Sequence, residues 1–330
     1  MNRLILKWIL ILIAVVTVLF TILNITSSAV ENNLKAVRPA QLAPQLPPKL
    51  EAVRPAQEAL QPLPENEADK YFFVIMTKSL PQHEDDRKLL REKSWLSHDW
   101  KDDEGKNISW THVFFVGLSM DEAWTRKRTL QEHAKYGDIV IIPTLDMQTR
   151  LTFKLMKGLQ HAIDHYKFTF LIVVDEDTIV NVNGLNRHLR GIVESGKESM
   201  FYGGYECGKK QVFRGGKFAN SVEKWPPNTY PRFCTGTGVI YSYDTIVELC
   251  NVWDNDRQPN LDIDDTHQGV LIWMSGKIEV TEISNITRGC FPNRGDTFIV
   301  TQIQPLTTGV KLMDSFLENG IYCNTFVRGH

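Results

Sequence analysis

Between residues 71 and 175, short apolar runs alternate with longer amphipathic stretches. Residues 71–77 (YFFVIMT), 111–117 (THVFFVG), 139–142 (IVII) and 168–174 (FTFLIVV) are rich in β-branched and aromatic residues. Such runs predict strands buried on both faces of a sheet. The stretches between them carry helical spacing at 87–95, 122–136 and 151–166, and Gly137-Asp138 breaks the second. In the third, Leu151, Leu155, Leu159 and Ala162 fall on one face. Strands alternating with helices predict an α/β fold, a largely parallel sheet with helices on both faces.

The pattern changes at the N-terminus. Residues 8–25 (WILILIAVVTVLFTILNI) are 18 positions without a charge, about the length of a bilayer-spanning helix. Arg3 and Lys7 precede the run, so residues 1–7 form a cytoplasmic tail and everything after residue 25 lies across the membrane. A cleaved signal peptide is the rival, with small residues at Ser27-Ser28-Ala29, but the apolar core is long for one. Residues 26–69 lack aromatics, are dotted with proline and repeat KAVRPAQ (35–41) as EAVRPAQ (51–57). They read as an extended stem for a globular domain at 70–330. Translocation gives meaning to two glycosylation sequons, at Asn107 and Asn285. It also predicts one or two disulfides among five cysteines, with at least one thiol unpaired within the chain. A net charge of −2 gives no reason to expect a nucleic-acid partner.

Candidate chemistry gathers in four places. The apolar run at 168–174 ends in Asp175-Glu176-Asp177. Three carboxylates at the end of a buried strand call for something cationic beside them. The carboxyl ends of strands are where open α/β sheets bind ligands, and oxygen ligands suit Mn²⁺ or Mg²⁺. An acidic loop without a ligand is the plainer reading. Residues 201–205 (FYGGY) have paired glycines suited to a bend. Residues 225–238 are a structural loop or a wall of aromatics and backbone amides for a sugar or nucleotide, with Trp225, Tyr230, Gly236 and Gly238 as its candidates. Asp264-Asp265 precede the apolar run at 270–274, where acids either cap a helix or supply a general base.

Five stretches, in order along the chain, resemble the β1,3-galactosyltransferase-like glycosyltransferases, glycosyltransferase family 31, which includes the fringe-type enzymes. The family's YGDII and LTLKT stand here as Tyr136–Val140 and Leu151–Lys154, and its DDDVFVN as Asp175–Asn181. Its YPPYCSGGG is similar to Tyr230–Gly238, and its DDVTVG to Asp264–Gly269. The resemblance covers about residues 71–275 and implies a GT-A fold with a Rossmann-like mixed sheet. It also implies an inverting hexosyltransferase in the Golgi lumen, held as a single-pass type II membrane protein. The donor would be a UDP-sugar, with galactose or N-acetylglucosamine moved in β1,3 linkage to a glycan acceptor on a glycoprotein or glycolipid. It places Asp175, Glu176, Asp177 and Lys154 on the nucleotide sugar and Asp177, with Asp175, on the metal. It makes Asp265 the base and leaves Asp264 as the helix cap or second candidate. There are departures: the middle acid is Glu176, and no histidine lies between His267 and His330, where fringe-type enzymes have a metal ligand. Two other classes answer to the same sequence: a catalytically inactive, membrane-anchored glycan-binding protein or chaperone of that fold, and a hydrolase using two carboxylates.

Overall fold

The computed structural model describes residues 70–119, 125–255, 258–259, 261–290, 299–319 and 327–328. The tail, anchor and stem expected at 1–7, 8–25 and 26–69 lie outside them. Among the described residues, no helix is long and apolar enough to cross a membrane.

The first half alternates as the apolar pattern requires. It runs β1 (Lys70–Ser79), α1 (Glu84–Lys93), β2 (Trp110–Leu118), α2 (Leu130–Tyr136), β3 (Ile139–Leu145), α3 (Leu151–His165) and β4 (Lys167–Asp175). Each strand outruns its apolar core by one to three residues, because ladder hydrogen bonds continue into polar ends. Helix α1 starts three residues before the expected 87, where Glu84, Asp85 and Asp86 favour the positive end of the helix dipole. Gly137 closes α2 in the left-handed conformation at φ 71°, which glycine adopts without steric cost.

The second half holds β5 (Thr178–Val180), α4 (Val182–Glu194), β6 (Phe201–Gly208), β7 (Phe233–Ser242), α5 (Tyr243–Asn255) and α6 (Asp264–Ser275). It ends with β8 (Glu279–Glu282), β9 (Ile286–Cys290), β10 (Val300–Gln302), α7 (Leu306–Asn319) and β11 (Val327–Arg328). Seven strands form the main sheet in the order β3-β2-β1-β4-β7-β6-β8. Its β3-β2-β1-β4 half is parallel, and β7 lies antiparallel to both β4 and β6. The sheet is therefore mixed. A second sheet, β11-β9-β10-β5, abuts the acidic turn that leaves β4.

Alternate residues of β1 enter different cores. Phe73 and Ile75 join Leu90 of α1, Leu185 and Leu189 of α4 and Met313 of α7. Val74 and Met76 join Leu155 and Leu159 of α3, Leu249 of α5 and Leu271 of α6. Helices thus cover both faces, as expected.

Residues 201–205 are not a bend. They belong to β6, and their glycines provide clearance rather than a turn. A Cβ on Gly203 would sit 2.9 Å from Ile283 and Phe201, and one on Gly204 2.8 Å from the Gly238 carbonyl and 2.9 Å from Cys234 Cβ. That closeness lets Cys207 of β6 and Cys234 of β7 form a disulfide. Cys250 is a buried free thiol.

Candidate active site

The carboxyl ends of β1 and β4 are side by side. Their parallel register sets Lys78 opposite Asp175. The Lys78 ammonium lies 2.9 Å from Asp175 and 3.0 Å from Asp264 in the first turn of α6. One cation therefore joins the two acidic stretches that the sequence singled out. The Lys78 side chain is 18% exposed. Burial opposes its charge, but Asp175 and Asp264 hold its pKa above the ordinary lysine value.

The two aspartates of α6 are not equivalent. Asp264 is 8% exposed and does not cap the helix, which corrects the role expected for it. The cap position is Ile263, Asp264 is the first helical residue, and its carboxylate turns to Lys78. Burial alone would raise the Asp264 carboxyl, but Lys78 holds it below the ordinary aspartate value. Asp265 is half-buried, and its Oδ1 accepts a hydrogen bond from the Thr266 amide at 2.8 Å. Burial, then the neighbouring Asp264 charge, pushes its pKa up to about 7. A carboxylate with that affinity for protons is poised to act as a base near neutrality.

In the acidic turn, Asp177 meets neutral amides: Gln302 Nε2 at 2.9 Å, and Gln304. Gln302 also reaches Asp175 at 3.4 Å. Its amide is oriented from behind, since its Oε1 accepts from Arg288 Nε at 3.1 Å. Glu176 contacts His83 Nδ1, and Asp86 completes a group whose ligand atoms lie within 4.8 Å of one another. Glu176 Oε2 is buried without a partner. One imidazole and two carboxylates, one of them with an unpaired oxygen, are a donor set that fits a divalent ion such as Mn²⁺. His83 and Asp86 were missed by the sequence reading, which looked downstream for a histidine. Asp175, expected as a metal ligand, has its Oδ1 paired with the Lys78 ammonium at 2.9 Å in this structure.

Other expected site residues are placed differently. Lys154 was expected on the nucleotide sugar. It is 4% exposed, and its ammonium donates to Asp146 at 2.6 Å and to the Ser79 carbonyl at 2.7 Å. A buried ammonium needs such acceptors, and here they brace the loop after β1. Trp225 stacks on Tyr230 with ring centres 6.1 Å apart. Tyr230 is buried, accepts a hydrogen bond from Asn220 at 2.6 Å and packs with Leu261 and Val270. It supports the start of α6 rather than lining a wall. A Cβ on Gly238 would meet Val300 at 2.9 Å, so Gly238 is also a packing position. Gly236 does face the site: its nearest neighbour is Lys78 Nζ, 3.6 Å from where a Cβ would stand. Of the sequon residues, Asn107 is exposed and Asn285 half-buried.

With this geometry in place, the comparisons agree on one class. The galactosyltransferase family model matches residues 85–283. The chain belongs to the galactosyltransferase family. It is 26% identical over 196 residues to beta-1,3-galactosyltransferase 5 of Homo sapiens, covering 56% of this chain and 59% of that protein. Identity is 25% over 201 residues to hydroxyproline O-galactosyltransferase GALT5 of Arabidopsis thaliana, covering 59% of this chain and 28% of that one. It is 24% over 229 residues to UDP-GalNAc:beta-1,3-N-acetylgalactosaminyltransferase 1 of Rattus norvegicus, covering 65% and 64%. The matches thus span less than two thirds of the relatives' own lengths.

Proposed function

We propose that this chain is an inverting, GT-A-type hexosyltransferase that moves galactose or N-acetylglucosamine from a UDP-sugar to a glycan hydroxyl, in β1,3 linkage. The observation that carries this reading is the meeting of two acidic stretches at one sheet edge through Lys78. The relatives' names support transfer of a hexose, and the family supports the donor type. Asp265 takes the proton from the acceptor hydroxyl, since its carboxylate makes no ion pair among the described residues and has an affinity for protons near pH 7. Glu176, His83 and Asp86 would hold Mn²⁺ or Mg²⁺, with Asp177 next in the chain as a further carboxylate ligand. When bound, such an ion supplies charge neutralisation to the donor diphosphate. The Asn181 side chain accepts the Gly184 amide at 3.0 Å, so the turn carrying these acids is anchored to the start of α4. Work in the Golgi lumen, behind the anchor at 8–25, completes the reading, with Asn107 and Asn285 as glycan acceptors.

The test is UDP release by the full chain from a panel of UDP-sugars, with and without Mn²⁺. Asp265→Asn keeps the size and removes the proton acceptor, so kcat should fall at least ~100-fold with UDP affinity nearly unchanged. An inert protein across the panel, or a fully active Asp265→Asn, overturns the proposal.

A further inference from the structure

Lys78 lies outside the residues 85–283 that the family model matches, yet it sits between the two acidic stretches. It is held on rigid elements. It is the last residue but one of β1, on the same strand face as Val74 and Met76, and that face packs against α3, α5 and α6. Register with β4 fixes it opposite Asp175, and a Cβ on Gly236 of β7 would stand 3.6 Å from its Nζ. Its two carboxylate partners come from β4 and from the first turn of α6. A single ammonium therefore ties the start of α6 to the carboxyl edge of the sheet.

We propose that Lys78 is the positioning residue of the transfer site: by binding Asp175 and Asp264 together, it fixes the start of α6 and leaves Asp265 as the carboxylate free to accept a proton. This inference rests on the reading of Asp265 as the base. It explains why two adjacent aspartates differ in role. Asp264 is committed to a buried ion pair, whereas Asp265 keeps a carboxylate oxygen for the acceptor.

The charges around Asp265 set what losing Lys78 would do. Asp264 on its own helix and Asp175 from β4 repel it, and Lys78 from β1 is the cation that opposes them. Tyr202 from β6, Tyr241 from β7 and Tyr230 from the preceding loop are within electrostatic reach. All three hold their protons more tightly than an ordinary tyrosine, and burial is the first cause in each. They are neutral near pH 7 and offset nothing. Without Lys78, three carboxylates face one another without a counter-ion. A like charge favours protonation, so the base would be neutralised at a higher pH. Because burial makes an unpaired charge costly, the start of α6 should also loosen.

The experiment measures kcat and donor KM against pH for the full chain with Mn²⁺, in four proteins. Lys78→Met should move the acid limb of kcat to higher pH by about one unit, which is a tenfold loss of activity at a fixed pH on that limb. Lys78→Arg keeps the charge and should keep the limb near its wild-type position. The double variant Lys78→Met/Asp264→Asn removes both ends of the ion pair and should return the limb towards wild type, a coupling that independent sites do not show. It also tests the idea should the single variant fail to fold. An unshifted limb in Lys78→Met, or an equal loss at every pH that neither Arg nor the double variant rescues, overturns the positioning role. The fourth protein, Asp265→Asn, separates the two failures. If it is inactive while Lys78→Met matches wild type, only the role of Lys78 is lost. If it is fully active, the base assignment falls and the role of Lys78 falls with it.

Discussion

Glu132→Ala tests how the loop that runs from the end of β1, next to Lys78, to His83 is held. Arg87 of α1 is 0% exposed. Its Nε and Nη2 donate to Glu132 at 2.9 and 2.6 Å, and its Nη1 donates to Ser79 Oγ at 2.8 Å and to the Leu80 carbonyl at 2.6 Å. A longer bond, 3.3 Å, reaches the Pro81 carbonyl. The arginine thus clamps the backbone next to Lys78, and Glu132, 2% exposed at its side chain, is the clamp's counter-charge. Truncating Glu132 leaves a buried guanidinium with donors unanswered, which costs about 3–5 kcal/mol. Arg91 loses one bond to Glu132 but keeps both of its bonds to Asp138, so its share is small. At about 2–4 °C per kcal/mol for a domain of this order, the melting temperature should fall by roughly 6–20 °C. Differential scanning fluorimetry reads it, and donor KM should rise as the loop loosens. The acid side gives a second readout. Burial pushes the Glu132 carboxyl up, but hydrogen bonds from Arg87 and Arg91 prevail and hold it below the ordinary value. A group lowered on folding stabilises fully above its unfolded pKa of about 4.3, and that stability is lost as pH falls through the folded value. The variant should lack that part of the acid slope. A melting temperature within 2 °C of wild type would refute the clamp.

Two further outcomes follow from the site and the sheet. If Asp265 is the base, it must be ionised to act, so kcat should decline as pH falls below about 7 and hold above it; a flat profile between pH 5.5 and 8 counts against the assignment. Its stability effect has the opposite sign, because a carboxyl raised on folding disfavours the native state as pH climbs from about 4 through 7. Gly204→Ala would place a Cβ 2.8 Å from the Gly238 carbonyl, between two paired strands that cannot separate, and should destabilise by about 1–3 kcal/mol; a denaturation midpoint equal to wild type would show that the sheet yields there.

The buried strands of the first half were legible because a parallel strand covered on both faces is an unbroken apolar run, and 71–77, 111–117, 139–142 and 168–174 all became strands. The same logic failed at Phe201–Gly208. Paired glycines signal a turn when read locally, whereas here they answer to Phe201, Ile283 and Cys234, which only the folded sheet brings near. The short strand β5 went unseen because its partner, β10, lies far along the chain. At the site, the acids were found and most of their partners were not. The cluster at 175–177 did demand a cation, and the reading offered only a metal. The cation that the structure provides for Asp175 is a lysine one strand away, placed by register, and register has no local signature. Gln302 came from still farther, 125 residues beyond Asp177.

Charge at this edge limits how a donor can bind. Asp175, Glu176, Asp177, Asp264 and Asp265 bring five carboxylates to it. Lys78 answers two of them, while Lys154 is committed to Asp146. Asp177 is met by uncharged amides, and Glu176 by His83. The edge therefore stays negative, even allowing for a proton on Asp265 near pH 7. A nucleotide diphosphate is itself strongly anionic, and like charges a few ångströms apart in a partly buried site repel by several kcal/mol, about 4 kcal/mol per pair at 4 Å with an effective dielectric of 20. On the proposed function, then, the donor can settle here only with a cation of its own. The amides on Asp177 and the orphaned oxygen of Glu176 mark the side where that cation can enter. Lys78 occupies the other side, where Asp175 and Asp264 already share a cation. The division between Asp177 with Glu176 and Asp264 with Asp265 is electrostatic before it is chemical, and a single lysine draws it.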